Sequence, residues 1–304
     1  MVAPAATAGS ETATRPMREL FAEPWTLARI APVAFALVAF ILVFAEPIQS
    51  LTAQWWDDPD AGHGLLLFPV SLWLAWQAGL RTDTRGNVVF GSIIIVGAML
   101  LRALGGLAAE FFTQRFSIWL TIVGIVVFLW GVRQVLHWWL PLTLLLLSIP
   151  LPATITNSMA VPLQFQASRL GTALIEWRDI PVRLQGNVID IPGQRLFVAE
   201  ACSGLRSLTA LIALGVMIGG MWLSTIPGRL LVLLLAIPVA IAVNAVRIFL
   251  TAFLMYFVSP ELGQGFMHKS EGWALFVLAL VLLAGLAFIV RAAERRWIRW
   301  RARA

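Results

Sequence analysis

The sequence predicts an all-α polytopic membrane protein of about eight transmembrane helices, with an interfacial helix and a small β-hairpin on one face. Three observations carry this. Of the 304 residues, 60% are hydrophobic and 12% charged, with a mean hydropathy of +0.85. A soluble chain of this length could not hide so much apolar surface. Apolar runs of roughly 17–25 residues, the length that crosses hydrocarbon, recur along the chain. Arginines concentrate in alternate loops and acids in the others, which orients the spans.

The elements follow in order. Residues 1–27, rich in Ala, Thr and Pro, read as an N-terminal tail, and 28–291 as a single transmembrane domain. Expected spans are 28–45, 64–80, 88–106, 115–132, 134–150, 203–223, 229–257 and 272–291. The fifth carries Pro141 and is short enough to be re-entrant. Pro150-Leu151-Pro152 breaks the chain. Then 153–178 alternates Gln164, Gln166, Ser168 and Arg169 with Phe165, Leu170, Leu174 and Trp177, the pattern of an interfacial amphipathic helix. In 181–199, Gly186-Asn187 and Pro192-Gly193 punctuate β-branched runs, predicting a small β-hairpin. Residues 151–201 form the main segment outside the membrane, and 292–304 are a basic tail. A signal-peptide reading up to Ala45 is the weaker one, because the polar lead is long.

Charge sets the orientation. Arg15, Arg18, Arg29, Arg81, Arg85, Arg133, Arg229 and six arginines from Arg291 to Arg303 lie on one side, 13 of the 22 basic residues. Glu46, Asp57, Asp58, Asp60, Glu110, Glu176, Asp179, Asp190, Glu200, Glu261 and Glu271 lie on the other, 11 of the 16 acids. The positive-inside rule makes the first side cytoplasmic, so both termini are cytoplasmic and the span count is even. The basic excess is therefore matched to membrane lipids rather than to nucleic acid. A single Cys allows no internal disulfide, and three dispersed His suggest no metal site. No phosphate-binding Gly loop is present, and no cofactor is implied.

Three costly residues then fall at one depth. Cys202 stands where a polar segment enters the sixth span. Arg247 is eighteen residues beyond Arg229, a rise of about 27 Å toward the same face. His268 lies in the outer loop before the last span. A thiol at a helix N-terminus, followed by Ser203 and Gly204, has the dipole and free N–H groups that favour thiolate and an oxyanion. Asn244 is one turn before Arg247 on the same face. A polar pair in an apolar span is expensive in lipid and should face protein or a wet cavity. Each residue also has a plain reading: Cys202 a small core filler, Arg247 a snorkelling cation, His268 a surface imidazole. The residues by themselves leave both readings open.

A resemblance adds to this. Ala201-Cys202-Ser203-Gly204-Leu205-Arg206-Ser207-Leu208 resembles the cysteine motif of the exosortase/archaeosortase family of membrane cysteine transpeptidases. Asn244-Ala245-Val246-Arg247-Ile248 resembles its Asn-x-x-Arg-Ile motif, and His268-Lys269-Ser270-Glu271-Gly272 its His-x-x-x-Gly segment. The likeness runs roughly from Trp55 to Trp273. Gly62-His63-Gly64 stands where the family usually reads Ser-His-Gly, so the sequence departs there. The resemblance implies a bacterial inner-membrane enzyme with its active site at the periplasmic face. Its substrates would be PEP-CTERM proteins, which end in a Pro-Glu-Pro motif, a transmembrane helix and a basic tail. It implies Cys202 as nucleophile, His268 as proton carrier and Arg247 as oxyanion stabiliser. Transfer would go to an unknown surface acceptor or to water. Ser203, Gly204, Arg206, Asn244 and His63 are the candidate supporting residues. Arg102 is a further outer-face cation, and His137 an interfacial one. The rival reading is a non-enzymatic membrane component of exopolysaccharide assembly or export, in which Arg247 and His268 bind an anionic glycan or lipid head. A solute transporter would need paired broken helices near the midplane, and no such pair is visible in the sequence.

Overall fold

The computed structural model describes residues 14–17, 27–58, 61–198, 204–259 and 266–303. The chain divides into two compact units: Met1–Asp58 with Gly64–Pro150, and Pro59–His63 with Leu151–Ala304. Among the described residues five helices are long and apolar enough to cross a membrane, at Ala31–Asp57, Val88–Leu107, Phe111–Trp130, Ile226–Phe257 and Ala274–Arg301. Shorter apolar helices lie at Gly64–Ala78 and Thr209–Trp222. The protein is thus a polytopic helical membrane protein, and the described residues hold five helices of spanning length where eight spans were expected.

The first helix of the first unit is α1 (Leu27–Asp57). The expected span ends at residue 45, yet the helix continues for three more turns. The reason is a polar stripe, Glu46, Ser50 and Gln54, at helical spacing. It is satisfied by two arginines of neighbouring helices, α3 (Val88–Leu107) and α4 (Phe111–Trp130). Arg102 Nη2 donates to Glu46 at 3.0 Å, Arg115 Nη2 donates to the Ser50 carbonyl at 3.1 Å, and Arg115 Nη1 donates to Gln54. Arg115 is 7% exposed, and a buried guanidinium costs free energy unless its donors are matched in this way. The α3–α4 pair is drawn close at Gly91, where a Cβ would lie 2.5 Å from Phe128 Cα.

Glu110 caps α4, accepting from the Phe112 and Thr113 amides. Burial by itself would raise this carboxyl, but the hydrogen bonds from Thr113 and Phe112 and the Arg115 charge outweigh it and hold Glu110 below its ordinary value. The cap's stabilisation is therefore complete above the ordinary carboxylate range and is lost as pH falls through the lowered value. Glu110→Gln should destabilise by about 1 kcal/mol at neutral pH and flatten the acid limb of a thermal-unfolding profile in detergent.

Between these helices lie α2 (Gly64–Ala78) and the two-residue strand β2 (Leu80–Arg81), which pairs antiparallel with β1 (Thr14–Arg15). Thr14 and Arg15, expected in a free tail, are therefore tied to the loop after α2. The expected fifth span is two short helices, α5 (Val132–His137) and α6 (Trp139–Leu147). The break falls where it must: Pro141 lacks an N–H, and its ring clashes with the carbonyl four residues back, at His137.

The second unit opens with α7 (Ala153–Glu176), the expected amphipathic helix. It lies lengthwise along α9 (Ile226–Phe257) rather than apart from the bundle. Phe165 and Leu170 on α7, and Trp177 just after it, are exposed and do not form its packing face. The inward face is small: Ala160, Ala167, Ser168, Gly171 and Thr172 are buried, with Ile175. Small residues let two backbones approach, and a Cβ on Gly171 would meet Ile248 Cγ2 at 2.7 Å.

The expected hairpin is a three-stranded antiparallel sheet, β3 (Arg183–Gln185), β4 (Val188–Ile191) and β5 (Gln194–Phe197). Both turn signals are used, Gly186 at φ 63° and Gly193 at φ 76°, so two turns make three strands. Period-2 alternation turns Ile189, Ile191 and Leu196 inward, with Val198 just beyond β5, onto Ala167, Ile175, Ile248, Ala252 and Met255.

Helices α8 (Gly204–Trp222), α9 and α10 (Phe266–Arg301) share a core of Leu211, Ile218, Val232, Ala236, Leu275, Ala279 and Leu283. α10 runs on to Arg301, through most of the expected tail. The cause is Glu294, which is 9% exposed and accepts from the Ser224 and Thr225 amides at 3.3 and 2.6 Å. These are free donors at the start of α9, whose dipole also favours the carboxylate. Glu294→Ala should cost on the order of 1–2 kcal/mol, seen as a lowered unfolding temperature in detergent.

Candidate active site

The chemistry-bearing part of the second unit is built on α9. Its 32 residues span about 48 Å, well beyond the roughly 30 Å of hydrocarbon. Arg247 lies 247 − 226 = 21 residues from the start, about 32 Å along the axis. Ten residues follow it to Phe257, and in this stretch Ile248, Ala252 and Met255 pack against the sheet. The sheet therefore sits beside the turn of α9 that carries Arg247. The guanidinium side chain is half-buried, and the Arg247 carbonyl accepts from Thr251 Oγ1 at 2.9 Å.

Asn244, 7% exposed, faces α7. With Gln164, Ala160, Leu163, Ala240 and Ile241 it lines a crevice of about 10 Å³, the size of roughly one water. Gln164 Oε1 accepts from Asn187 Nδ2 at 3.3 Å, and the Asn187 carbonyl accepts from the Val198 amide at 2.9 Å. Contacts thus run from Val198, where the chain leaves the sheet, through Asn187 and Gln164, to the turn holding Asn244 and Arg247. Gln164 and Asn187 were not among the site candidates. Gln164 was visible as a polar interruption of an apolar helix. Asn187 read only as a turn residue.

The other candidates are placed as follows. Cys202 and Ser203 lie outside the described residues. Gly204 and Arg206 stand in the first turn of α8, described for their backbone only. His268 is in the first turn of α10, not in the preceding loop as expected; its side chain lies outside what is described. His63 is half-buried in the turn before α2 and makes a side-chain or backbone interaction. Arg102 belongs to the α1–α3–α4 network, with Nη1 donating to Gln114 at 3.0 Å. His137 lies within 2.9 Å of the Ala78 carbonyl through Nε2.

Apolar helices of spanning length, polar groups matched between them, and a small sheet against one helix end define an integral membrane protein of helical-bundle type. The family model for the transmembrane exosortase (Exosortase_EpsH) matches residues 55–285, and the chain belongs to that family. The matched stretch includes Cys202, Arg247 and His268. No curated protein and no solved structure matches the chain.

Proposed function

We propose that the protein is a cysteine transpeptidase of the bacterial inner membrane. It would release a C-terminal sorting tag from secreted proteins and pass the new C-terminus to a surface acceptor or to water. The observation that carries this reading is the family match over residues 55–285. The substrate class is the PEP-CTERM protein: a Pro-Glu-Pro motif, a transmembrane helix and a basic tail. The distribution of arginines supports both termini in the cytoplasm, eight crossings, and a site at the periplasmic face.

In the proposed reaction His268 takes the Cys202 thiol proton, and the resulting thiolate attacks a peptide carbonyl near the motif. A C–S bond forms, and the oxyanion that develops is held by the Arg247 guanidinium and by backbone N–H groups at Ser203 and Gly204. Arginine's very high pKa suits it to electrostatic stabilisation rather than proton donation. As the C–N bond breaks, His268 gives a proton to the departing amine of the tag. The thioester is then attacked by an acceptor nucleophile or water, His268 takes its proton, and the C–S bond breaks to return the Cys202 thiolate beside protonated His268. Arg206 and His63 would contact the substrate. Asn244 would orient Arg247 from one turn away, and the Asn187–Gln164 contact would steady that turn.

The test is co-expression with a substrate carrying an N-terminal epitope and the tripartite tag. The expected result is a shortened, epitope-bearing product that depends on the enzyme. A substrate that stays full length in the presence of well-expressed, inserted enzyme overturns the reading.

A further inference from the structure

The first unit holds a second constellation, unrelated to the cysteine site. α2 ends at Ala78, α3 starts at Val88 and α4 ends at Trp130, so these termini share one end of the helix group. There an open recess of about 470 Å³ is lined by Arg81, Arg133, Leu136, His137 and Trp139. That volume is in the range of small-molecule sites, about 300–1,000 Å³.

The recess has a rigid foundation. Gln134 is fully buried (0% exposed), and both ends of its amide are used. Its Oε1 accepts from the Arg81 backbone amide at 2.9 Å, and its Nε2 donates to the Gly79 carbonyl at 3.1 Å. Trp138 Nε1 donates to the same Gly79 carbonyl at 2.9 Å. The backbone carrying Arg81 is thereby fixed to α5. Arg133 and His137 are four residues apart on α5 and so share a face. His137 is held through its contact with the Ala78 carbonyl.

The charges converge. Arg81 presents a two-pronged fork to Asp83, with Nε and Nη2 each 2.8 Å from a carboxylate oxygen. Arg133 Nη1 lies 3.8 Å from the same Oδ2. Asp83, which is not itself part of the recess lining, therefore shows that one anion can meet both guanidinium groups. Its side chain is 46% exposed, so it is a surface group that a stronger anion can displace. Arg15 and Arg85 add positive charge nearby in the chain and in the β1–β2 pair. Leu136 lines the recess and Val132, four residues earlier on α5, shares its face; the two are 66% and 43% exposed, an apolar pair beside the Arg133–His137 face. Basic groups at a helix-bundle surface next to an exposed apolar pair match an amphiphile with an anionic head. Arginine forks match a phosphate geometrically.

We propose that this recess binds the phosphate of an anionic phospholipid headgroup, with Arg81 and Arg133 as its ligands and the lipid's chains along Val132 and Leu136. His137 and Trp139 close its sides. The proposal is independent of the tag-release reading.

The test is native mass spectrometry of the full-length protein in detergent, incubated with an equal mixture of phosphatidylglycerol and phosphatidylcholine. Wild type should retain phosphatidylglycerol preferentially. Arg81→Gln with Arg133→Gln should lower that retention on the order of tenfold or more. Arg299→Gln with Arg303→Gln, which removes the same charge elsewhere, should leave it unchanged. Asp83→Asn should raise it. Arg81→Lys with Arg133→Lys keeps the charge and should lose part of the preference, so a folding defect in the glutamine pair does not decide the matter. Equal loss in the recess and tail pairs overturns the site. Equal retention of the two lipids overturns the anionic ligand. Complete displacement by millimolar inorganic phosphate overturns the lipid in favour of free phosphate.

Discussion

Cys202→Ala leaves the protein inserted in the membrane and abolishes tag release. The expectation rests on what the thiol alone can supply. Cys202 is the chain's one cysteine, so no other side chain can form a thioester. Removing the nucleophile of a covalent mechanism costs on the order of 10⁴-fold or more, because the step that it replaces is direct attack by water. Removing a small thiol costs far less stability, about 1 kcal/mol for a single core atom group, so insertion and detergent unfolding should stay near wild type. Cys202→Ser should fall between the two in activity: an alkoxide forms far less readily than a thiolate, and an ester intermediate would follow in place of the thioester. The measurement is the fraction of epitope-tagged substrate shortened at matched enzyme expression. Wild-type processing by the alanine variant would remove Cys202 from the mechanism. A membrane-impermeant maleimide applied to spheroplasts reports the face on which the thiol stands, and its labelling should match the periplasmic assignment.

The second large effect is at Arg247. Arg247→Lys keeps a cation on α9 yet should lower the rate of tag release by about 10²–10³, equal to about 2.7–4 kcal/mol of transition-state stabilisation. A guanidinium offers two parallel N–H donors to one oxyanion, and an ammonium on a flexible stem does not. The position suits this role. Asn244, one turn earlier, is buried at the small crevice against α7, and Ile248, one residue later, is buried against the sheet, so the turn between them is packed on two sides. Arg247→Ala should lose nearly all activity. A lysine variant that cleaves at the wild-type rate shows that a point charge suffices. An alanine variant that cleaves normally reduces Arg247 to a snorkelling residue and the site to Cys202 and His268. His268→Ala should also fail, with partial rescue by added imidazole separating a proton-transfer role from a structural one.

Much of the architecture could be read without coordinates, for physical reasons specific to each element. The apolar runs at 88–106 and 229–257 are helices within a few residues of where hydropathy puts them, since twenty apolar residues in lipid have no other way to satisfy their amides. Pro150-Leu151-Pro152 ends one helix and begins another, because proline permits little else. The cysteine, arginine and histidine strings could be read as candidates because they are local, and they fall within the stretch that the family model matches. Interactions between distant segments were not legible. α1 outruns its apolar core only because Arg102 and Arg115, more than fifty residues away, satisfy its polar stripe. α7 buries a mostly small face with Ile175 and leaves Phe165 and Leu170 outside, a choice set by the close approach of α9 at Gly171. α10 continues past its expected end because Glu294 finds the free amides of Ser224 and Thr225. Composition determined that this chain crosses a membrane and local spacing determined its motifs. Which helix face meets which, and how far each helix runs, waited on tertiary partners, because a buried polar group is tolerated only where another part of the chain completes its hydrogen bonds.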